Sequence, residues 1–355
     1  MAYPQLVIDS AAIAENAASI VRRCGQCGIA VAGVTKGMSA QPALAQVMKE
    51  AGCAWLADSR LVNVVRLREA GLEGPFLLLR IPMDDEIDDV VDLVDVVLVS
   101  MTETIERLDQ ACRDRSRTLD TLAMIDLGDL REGFWPDEVE CLAQTYRRCR
   151  RVRCLGVGVN FGCFGGVQPT AENGKKLVAV AAQLSSLLGS SLEILSGGAT
   201  SSLALLEEGI MPQEINQLRI GEALLLGSDV SHNRFIPWLR NDTMIFQGQV
   251  VEVRRKPSRP IGIIGADAFG NVPVFEDRGR RLRAIVAAGR QDIRPEGLRP
   301  LLPGVEILGA SSDHLLLDVE ACRPAVKLGD VISFGVDYGA MLAATTSHYV
   351  EVKIR

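Results

Sequence analysis

From residue 29 to residue 226 the chain repeats one pattern: a short apolar run of strand length, then a longer stretch in which apolar residues recur at helical spacing. The apolar runs are Ile29–Val34, Ala54–Leu56, Phe76–Ile81, Val96–Ser100, Thr121–Leu127, Cys154–Asn160, Leu192–Leu195 and Leu218–Leu226. Helices are predicted between them at Pro42–Ala51, Arg60–Ala70, Thr102–Asp114, Pro136–Arg148, Ala171–Leu188 and Ser201–Glu208. Eight such units fit a closed (β/α)8 TIM barrel, whereas an open doubly wound sheet more often has five or six strands. Beyond about residue 240 the pattern changes to short alternating runs punctuated by Gly and Pro: Thr243–Arg254, Ile261–Ile264, Leu282–Ala288, His314–Val319, Val331–Phe334 and Tyr349–Ile354. The expected architecture is therefore α/β, with the barrel at 1–235 and a C-terminal all-β domain at 236–355, joined through Asn233–Asp242.

Composition narrows the function. Among 355 residues, 45 are acidic and 38 basic, a net charge of −7 that argues against a surface built to neutralise phosphates, so no nucleic-acid partner is expected. No segment reaches the roughly 18 to 20 uninterrupted apolar residues that span a bilayer, and Met1–Ser10 lacks a basic stretch leading into an apolar run. A cytoplasmic protein without a membrane partner is the expectation. The nine cysteines are odd in number and scattered, which suits reduced thiols better than a disulfide framework. Cys24 and Cys27 form a CxxC, but no second pair follows and none of the three histidines, 232, 314 and 348, lies near in sequence. Incidental thiols are expected there, and no metal site.

In a barrel the chemistry sits where strands end and loops begin, on the C-terminal rim, so polar residues that end apolar runs become candidates. Lys36 follows the run Ile29–Val34 among small residues. An amine desolvated at a strand end is placed to lose its proton and condense with an aldehyde, although a lysine merely capping a strand would read the same. The glycine-rich turn Ser196–Ser202 offers bare N–H groups, hydroxyls and a helix start, features that suit a phosphate and also an ordinary capped loop. Arg219, near that loop on the last strand, would hold its charge in any protein environment and keep a neighbouring basic nitrogen unprotonated, unless it serves a structural ion pair.

These residues, taken in order, resemble a family: the pyridoxal-phosphate-dependent amino-acid racemases of the alanine racemase fold (fold type III), and within it the alanine/ornithine racemase branch. The resemblance is carried by VTKG at 34–37, DLGDLREG at 126–133, GVGVNFGC at 156–163, SGGATSS at 196–202, NQLRIGEALLLG at 216–227, DAFG at 267–270, GRQD at 289–292 and ASSDH at 310–314. It implies that Lys36 carries pyridoxal 5'-phosphate as a Schiff base and acts as one of two acid/base groups. It further implies that Thr200, Ser201 and the backbone around Gly198 and Gly221 hold the phosphate, that Arg219 faces the pyridine nitrogen, and that Asn160 lies beside the ring. Arginine at that place makes the cofactor a weaker electron sink and limits side reactions. Arg131 stands where the family places an arginine near the substrate carboxylate, with Ser312 and Asp313 on the substrate side.

The sequence also departs from the alanine racemase pattern. A lysine that some members carry is replaced around Met124, the tyrosine four residues after the Schiff-base lysine is Ala40, and the aromatic of DAFG is Phe269. That aromatic stands where alanine racemases place the tyrosine that works the second face from a partner subunit, and phenylalanine cannot take a proton. Asp267, Asp313, His314 and Tyr338 are the replacements considered. His314 leads because an imidazole titrates near neutrality, and Asp267 follows, although it can equally make a local turn bond.

The implied activity is a racemase that interconverts L- and D-amino acids by two-face proton transfer at Cα, on ornithine or another basic amino acid, with alanine as the alternative. Asp129, Glu222 and Asp292 are acids able to pair with a distal ammonium, and each can equally be structural. The resemblance also implies a head-to-tail homodimer with shared sites. Two rivals are a non-catalytic pyridoxal-phosphate homeostasis protein, whose single-domain form lacks the β module, and a decarboxylase or D-amino-acid aldolase of the same fold type. Cys322 and His348 are too far apart in sequence to establish an aldolase metal site.

Overall fold

A computed structural model describes residues 3–355, which divide into two compact units. One runs from Ser10 to Asn241, and the other combines the segment up to Asp9 with Asp242–Arg355. The division after Asn241 lies within the join expected at Asn233–Asp242, and the N-terminal segment belongs with the β unit.

That segment forms β1 (Gln5–Ile8), which pairs antiparallel with β12 (Met244–Pro257) and parallel with β18 (Glu351–Ile354). Four residues carry too little periodicity to announce a strand, and both partners lie more than two hundred residues away. The rest of the β unit is built from β13 (Arg280–Val286), β14 (Leu298–Pro300), β15 (Glu306–Ala310), β16 (Leu315–Asp318) and β17 (Val331–Val336), in the order β14-β17-β12-β13-β16-β15. One expectation for this region is corrected: residues 261–264 form no strand, and Ile261 and Ile263 are exposed in an irregular arm between β12 and β13. The β unit also carries one helix, Tyr338–Thr346, opened by Asp337, whose carboxylate accepts from Ala340 N at 2.7 Å.

The barrel unit closes eight parallel strands: β2 (Ala30–Val34), β3 (Trp55–Asp58), β4 (Phe76–Leu78), β5 (Val96–Val99), β6 (Leu119–Met124), β7 (Val152–Gly158), β8 (Ile194–Ser196) and β9 (Gln217–Ile220). The β9–β2 pairing, with Arg219 opposite Ala32, completes the circle. Alternation sets the interior: Ala32 and Val34, Val96 and Leu98, and Leu122 and Met124 stand two apart on their strands and share one buried cluster. Each Val or Leu so buried stabilises the barrel by about 1.5–3 kcal/mol. Residues of the opposite parity face the helices α1 (Ser10–Gln26), α2 (Pro42–Glu50), α3 (Leu61–Glu69), α4 (Ile87–Leu93), α5 (Thr102–Asp114), α6 (Val139–Arg148) and α7 (Ala171–Leu188). In α6 the buried side is Val139, Leu142, Ala143 and Tyr146, the spacing of one helical face.

Two shorter helices, α8 (Leu203–Glu207) and α9 (Glu222–Leu226), follow β8 and β9. The predicted run Leu218–Leu226 is thus a strand that stops at Ile220, a break at Gly221 and then a buried helix; an apolar run alone does not distinguish the two. After α9 a small hairpin, β10 (Ser228–Asp229) and β11 (Arg234–Phe235), ends the unit, and the β-unit helix Tyr338–Thr346 is α10. Among the described residues no helix is long and apolar enough to cross a membrane.

Candidate active site

Seven polar residues lie at or just beyond the C-terminal ends of the barrel strands. Lys36 follows β2, Asp58 ends β3, Arg131 and Glu132 follow β6, Asn160 follows β7, Ser196 ends β8, and Arg219 lies within β9. Parallel strands running the same way round a closed barrel bring these ends to one rim.

Arg219 is the centre of the bonding. It is only 4% exposed, and its guanidinium donates to Ser196 Oγ, to the Val159 carbonyl at 2.7 Å and to Asn160 Oδ1 at 2.8 Å. Burial and the nearby Arg131 charge lower its pKa to about 10, which still leaves it charged at neutrality. Asn160 passes the chain on, donating through Nδ2 to Glu132 Oε1 at 2.7 Å, and Glu132 in turn is ion-paired with Arg131. With Arg219 donating to its oxygen and Glu132 accepting from its nitrogen, the Asn160 amide has one satisfied orientation.

Lys36 opens a single 3-10 turn (Lys36–Met38), and burial followed by the charge of Arg131 lowers its pKa, opposed by Cys163, Asp58 and Glu132. Asp58 is almost wholly buried and anchors Thr35, the residue before Lys36, accepting from Thr35 Oγ1 at 2.6 Å as well as from Asn63 Nδ2 at 2.9 Å and Arg60 N at 3.0 Å. On the other side of the rim Gly198 accepts from Arg219 N through its carbonyl at 3.0 Å, and Thr200 Oγ1 accepts from Ala223 N at 3.2 Å, two residues past Gly221. Gly198 has φ +115°, and a Cβ there would lie 2.4 Å from Ser202 Oγ, so this turn requires glycine. Ser201 is buried beside the Phe161 carbonyl. The structure thus joins Gly198, Arg219, Asn160, Glu132 and Arg131 by a chain of bonds, with Lys36 within the electrostatic reach of Arg131 and Glu132 and Thr200 in the turn that Gly198 opens.

Asp58, Glu132 and Ser196 were not among the sequence candidates as single residues. Asp58 did carry a signal, an acid closing an apolar strand, while Glu132 stood inside a noted motif. The substrate-side acids fare differently. Asp129 accepts from Phe164 N at 3.0 Å and Val167 N at 3.2 Å, and Glu222 from Ser228 Oγ at 2.6 Å and Val230 N at 2.9 Å, so both hold loops.

The remaining candidates belong to the β unit, where three turns meet. Arg290 stacks over Phe269 with 5.0 Å to the ring centroid, Arg290 N donates to the Ser311 carbonyl at 2.9 Å, and Gln291 N to that of Ser312 at 3.1 Å. A Cβ on Gly289 would lie 2.2 Å from the Ser312 carbonyl oxygen, so GRQD packs on ASSDH only because glycine leads it. Asp313 accepts from Ser312 Oγ at 2.7 Å and Gln291 Nε2 at 3.0 Å, and His314 is exposed at the end of the same turn. Asp267 accepts from Phe269 N at 2.9 Å and Asn271 N at 2.8 Å, bonds that lower its pKa. Those bonds are the turn role weighed for it from the sequence. Asp292 is buried with Gly289 N on its carboxylate at 2.8 Å, and burial raises its pKa.

An amine of lowered pKa, a buried arginine and a hydroxyl-lined glycine turn on one barrel rim can be set beside known proteins. The profile described as Alanine racemase, N-terminal domain, matches residues 8–229. The chain belongs to the alanine racemase family. It is 45% identical to the lysine racemase of Thermotoga maritima over 352 residues, covering 99% of this chain and 98% of that protein. It is 38% identical to the ornithine racemase of Acetoanaerobium sticklandii, covering 99% of each. The fold matches the crystal structure of alanine racemase from Bartonella henselae with covalently bound pyridoxal phosphate, at a TM-score of 0.76 and 16% identity over 100% of both chains. The two racemase relatives and the solved structure match through the β unit as well as the barrel, whereas the family profile covers the barrel.

Proposed function

We propose that this family member is a pyridoxal-phosphate-dependent racemase of basic amino acids, ornithine or lysine, working by proton transfer on the two faces of Cα. The observation that carries it is the Arg219–Asn160–Glu132 chain, anchored on the buried Arg219, on the rim that also holds Lys36. The substrate class is supported by two relatives that match end to end, one a lysine racemase and one an ornithine racemase.

The donor set fits the cofactor. Lys36, more easily deprotonated than an ordinary lysine, is suited to hold its aldehyde carbon covalently. Thr200, Ser201 and the backbone about Gly198 and Gly221 would take the phosphate, and Arg219 would face the ring nitrogen with Asn160 alongside. When bound, pyridoxal phosphate stabilises negative charge developed at Cα.

The protein's own work is to place and exchange protons. Arg131 binds the substrate carboxylate, fixing Cα. The Lys36 amine takes or returns the α-proton on one face, and the group on the opposite face does the reverse. His314 is our choice for that second group, with Ser312 and Asp313 beside the substrate and Asp267 kept to its turn. Arg219, charged and held by three bonds, would present a donor rather than an acceptor to the ring nitrogen and so disfavour its protonation. Because His314 stands on the β unit, we propose a head-to-tail homodimer in which that unit serves a partner's barrel. The apolar arm with Ile261 90% and Val274 95% exposed supports an assembled state, since water-facing side chains of that size gain by being covered. All nine cysteines are unpaired, in accord with a cytoplasmic location.

The test is α-hydrogen exchange by NMR in D2O with pyridoxal phosphate and L-ornithine, L-lysine, L-arginine, L-alanine, L-serine and L-glutamate, followed by chiral analysis. Exchange with inversion of the basic members is expected. Cofactor binding without exchange of any member would point to the homeostasis protein instead.

A further inference from the structure

A racemase of basic amino acids needs a partner for the ammonium at the far end of its substrate, and most acids of the rim are occupied by the fold. Asp129 and Glu222 hold backbone amides, and Asp58 is filled by Thr35, Asn63 and the Arg60 amide. Asp292, an acid of the β unit, is tied to Gly289 N in its own turn. Glu132 differs in kind. Its partners among the described residues are two side chains of the rim, Arg131 and Asn160, with no backbone donor. Side chains can be exchanged for a ligand where backbone bonds of a folded loop cannot.

We propose that Glu132 receives the side-chain ammonium of the substrate. It does so by exchanging its ion pair with Arg131 for a ligand that brings a carboxylate to Arg131 and a cation to Glu132. The inference rests on the racemase reading above and deepens it. Arg131 and Glu132 are adjacent in sequence and bonded through both carboxylate oxygens, so they offer one cation and one anion side by side. Ornithine or lysine, with the two charges joined by a short methylene chain, satisfies both. Alanine would draw Arg131 away and leave a partly enclosed carboxylate, 18% exposed, with only the Asn160 amide. Specificity then comes from the penalty on the wrong substrate as much as from the bond to the right one.

Glu132→Gln in the holoenzyme tests this, since glutamine keeps an acceptor for Asn160 and removes the charge. L-norvaline, ornithine's carbon chain without its ammonium, is the reference substrate. The ornithine-to-norvaline ratio of kcat/KM for α-hydrogen exchange should fall by about 10- to 100-fold, the worth of one charge-assisted hydrogen bond. The ratio of their dissociation constants, from absorbance titration of the bound cofactor, should move with it. Glu132→Asp, which keeps the charge, should retain most of the preference and guards against a folding defect in the first variant. An equal loss for both substrates, or an unchanged ratio, overturns the proposal and leaves Glu132 a holder of Asn160. Wild-type exchange of alanine with none of ornithine or lysine overturns it while the racemase survives. No exchange of any amino acid removes the racemase reading, and the binding ratio still decides whether Glu132 selects a cation.

Discussion

At the barrel rim, Arg219 is bonded to Ser196, Val159 and Asn160, and Asn160 to Glu132. In the β unit, Asp267, Ser312, Asp313 and His314 lie in exposed turns whose order comes from backbone amides and from a glycine that lets two loops touch. Buried charge must be bonded or it destabilises the fold, so Arg219 is held by several acceptors, and burial together with the Arg131 charge lowers the pKa of Arg219 and Lys36. Exposed turns carry no such penalty. The barrel therefore owns preorganised electrostatics, and the β unit offers groups that gain special properties only where something covers them.

The comparison is tested most severely at Lys36. Lys36→Ala should abolish the visible absorbance band of the bound cofactor and lower α-hydrogen exchange by at least about 10²-fold, and a surviving band would remove the assignment. His314→Ala should cost about 10²-fold in both racemisation directions if an exposed imidazole becomes the second acid/base group on assembly; steady-state rates within about threefold of wild type would exclude it. Arg219→Leu should lower stability by about 1–3 kcal/mol for each orphaned rim partner, read from urea unfolding of the cofactor-free protein, because Ser196 and Asn160 lose a buried donor.

A finer test uses pH. The Lys36 pKa is below its ordinary 10.5 in the folded chain, so between the two values the unfolded state holds a proton that the native state has lost. Stability of the cofactor-free protein should rise with pH through that window. Lys36→Met should remove the rise and be the more stable variant at neutral pH. Asp267→Asn is the smallest change: one turn acceptor is weakened, costing about 0.5–1 kcal/mol, with exchange rates within about threefold of wild type. A large loss of activity there would mean that the exposed acid does more than close a turn.

The barrel was legible because each strand buried on both faces leaves an uninterrupted apolar run, and because polar residues at the ends of those runs fall on one rim. Lys36 and the Ser196–Ser202 turn stand out that way, Arg219 stands out by its place on the last strand, and Asn160 enters with the resemblance. Asp58 escaped notice because an acid ending a strand is usually a cap, and only its burial against Thr35 gives it another meaning. Glu132 escaped because its partner Asn160 lies on another loop. In the β region, Ile261–Ile264 read as a strand because apolar alternation does not reveal whether a neighbour exists to pair with it.

Local periodicity and the order of motifs determined the barrel, the β region and the residues that end the strands, since both are properties of neighbours along the chain. Tertiary structure alone decided that β1 joins the β unit, that Leu224–Leu226 is helix, and that DAFG, GRQD and ASSDH meet. It also decided which rim acids accept from backbone amides and that Glu132 is bonded to the side chains of Arg131 and Asn160. Hydrogen bonds between distant loops depend on where the folded chain returns, and no window of sequence contains that information.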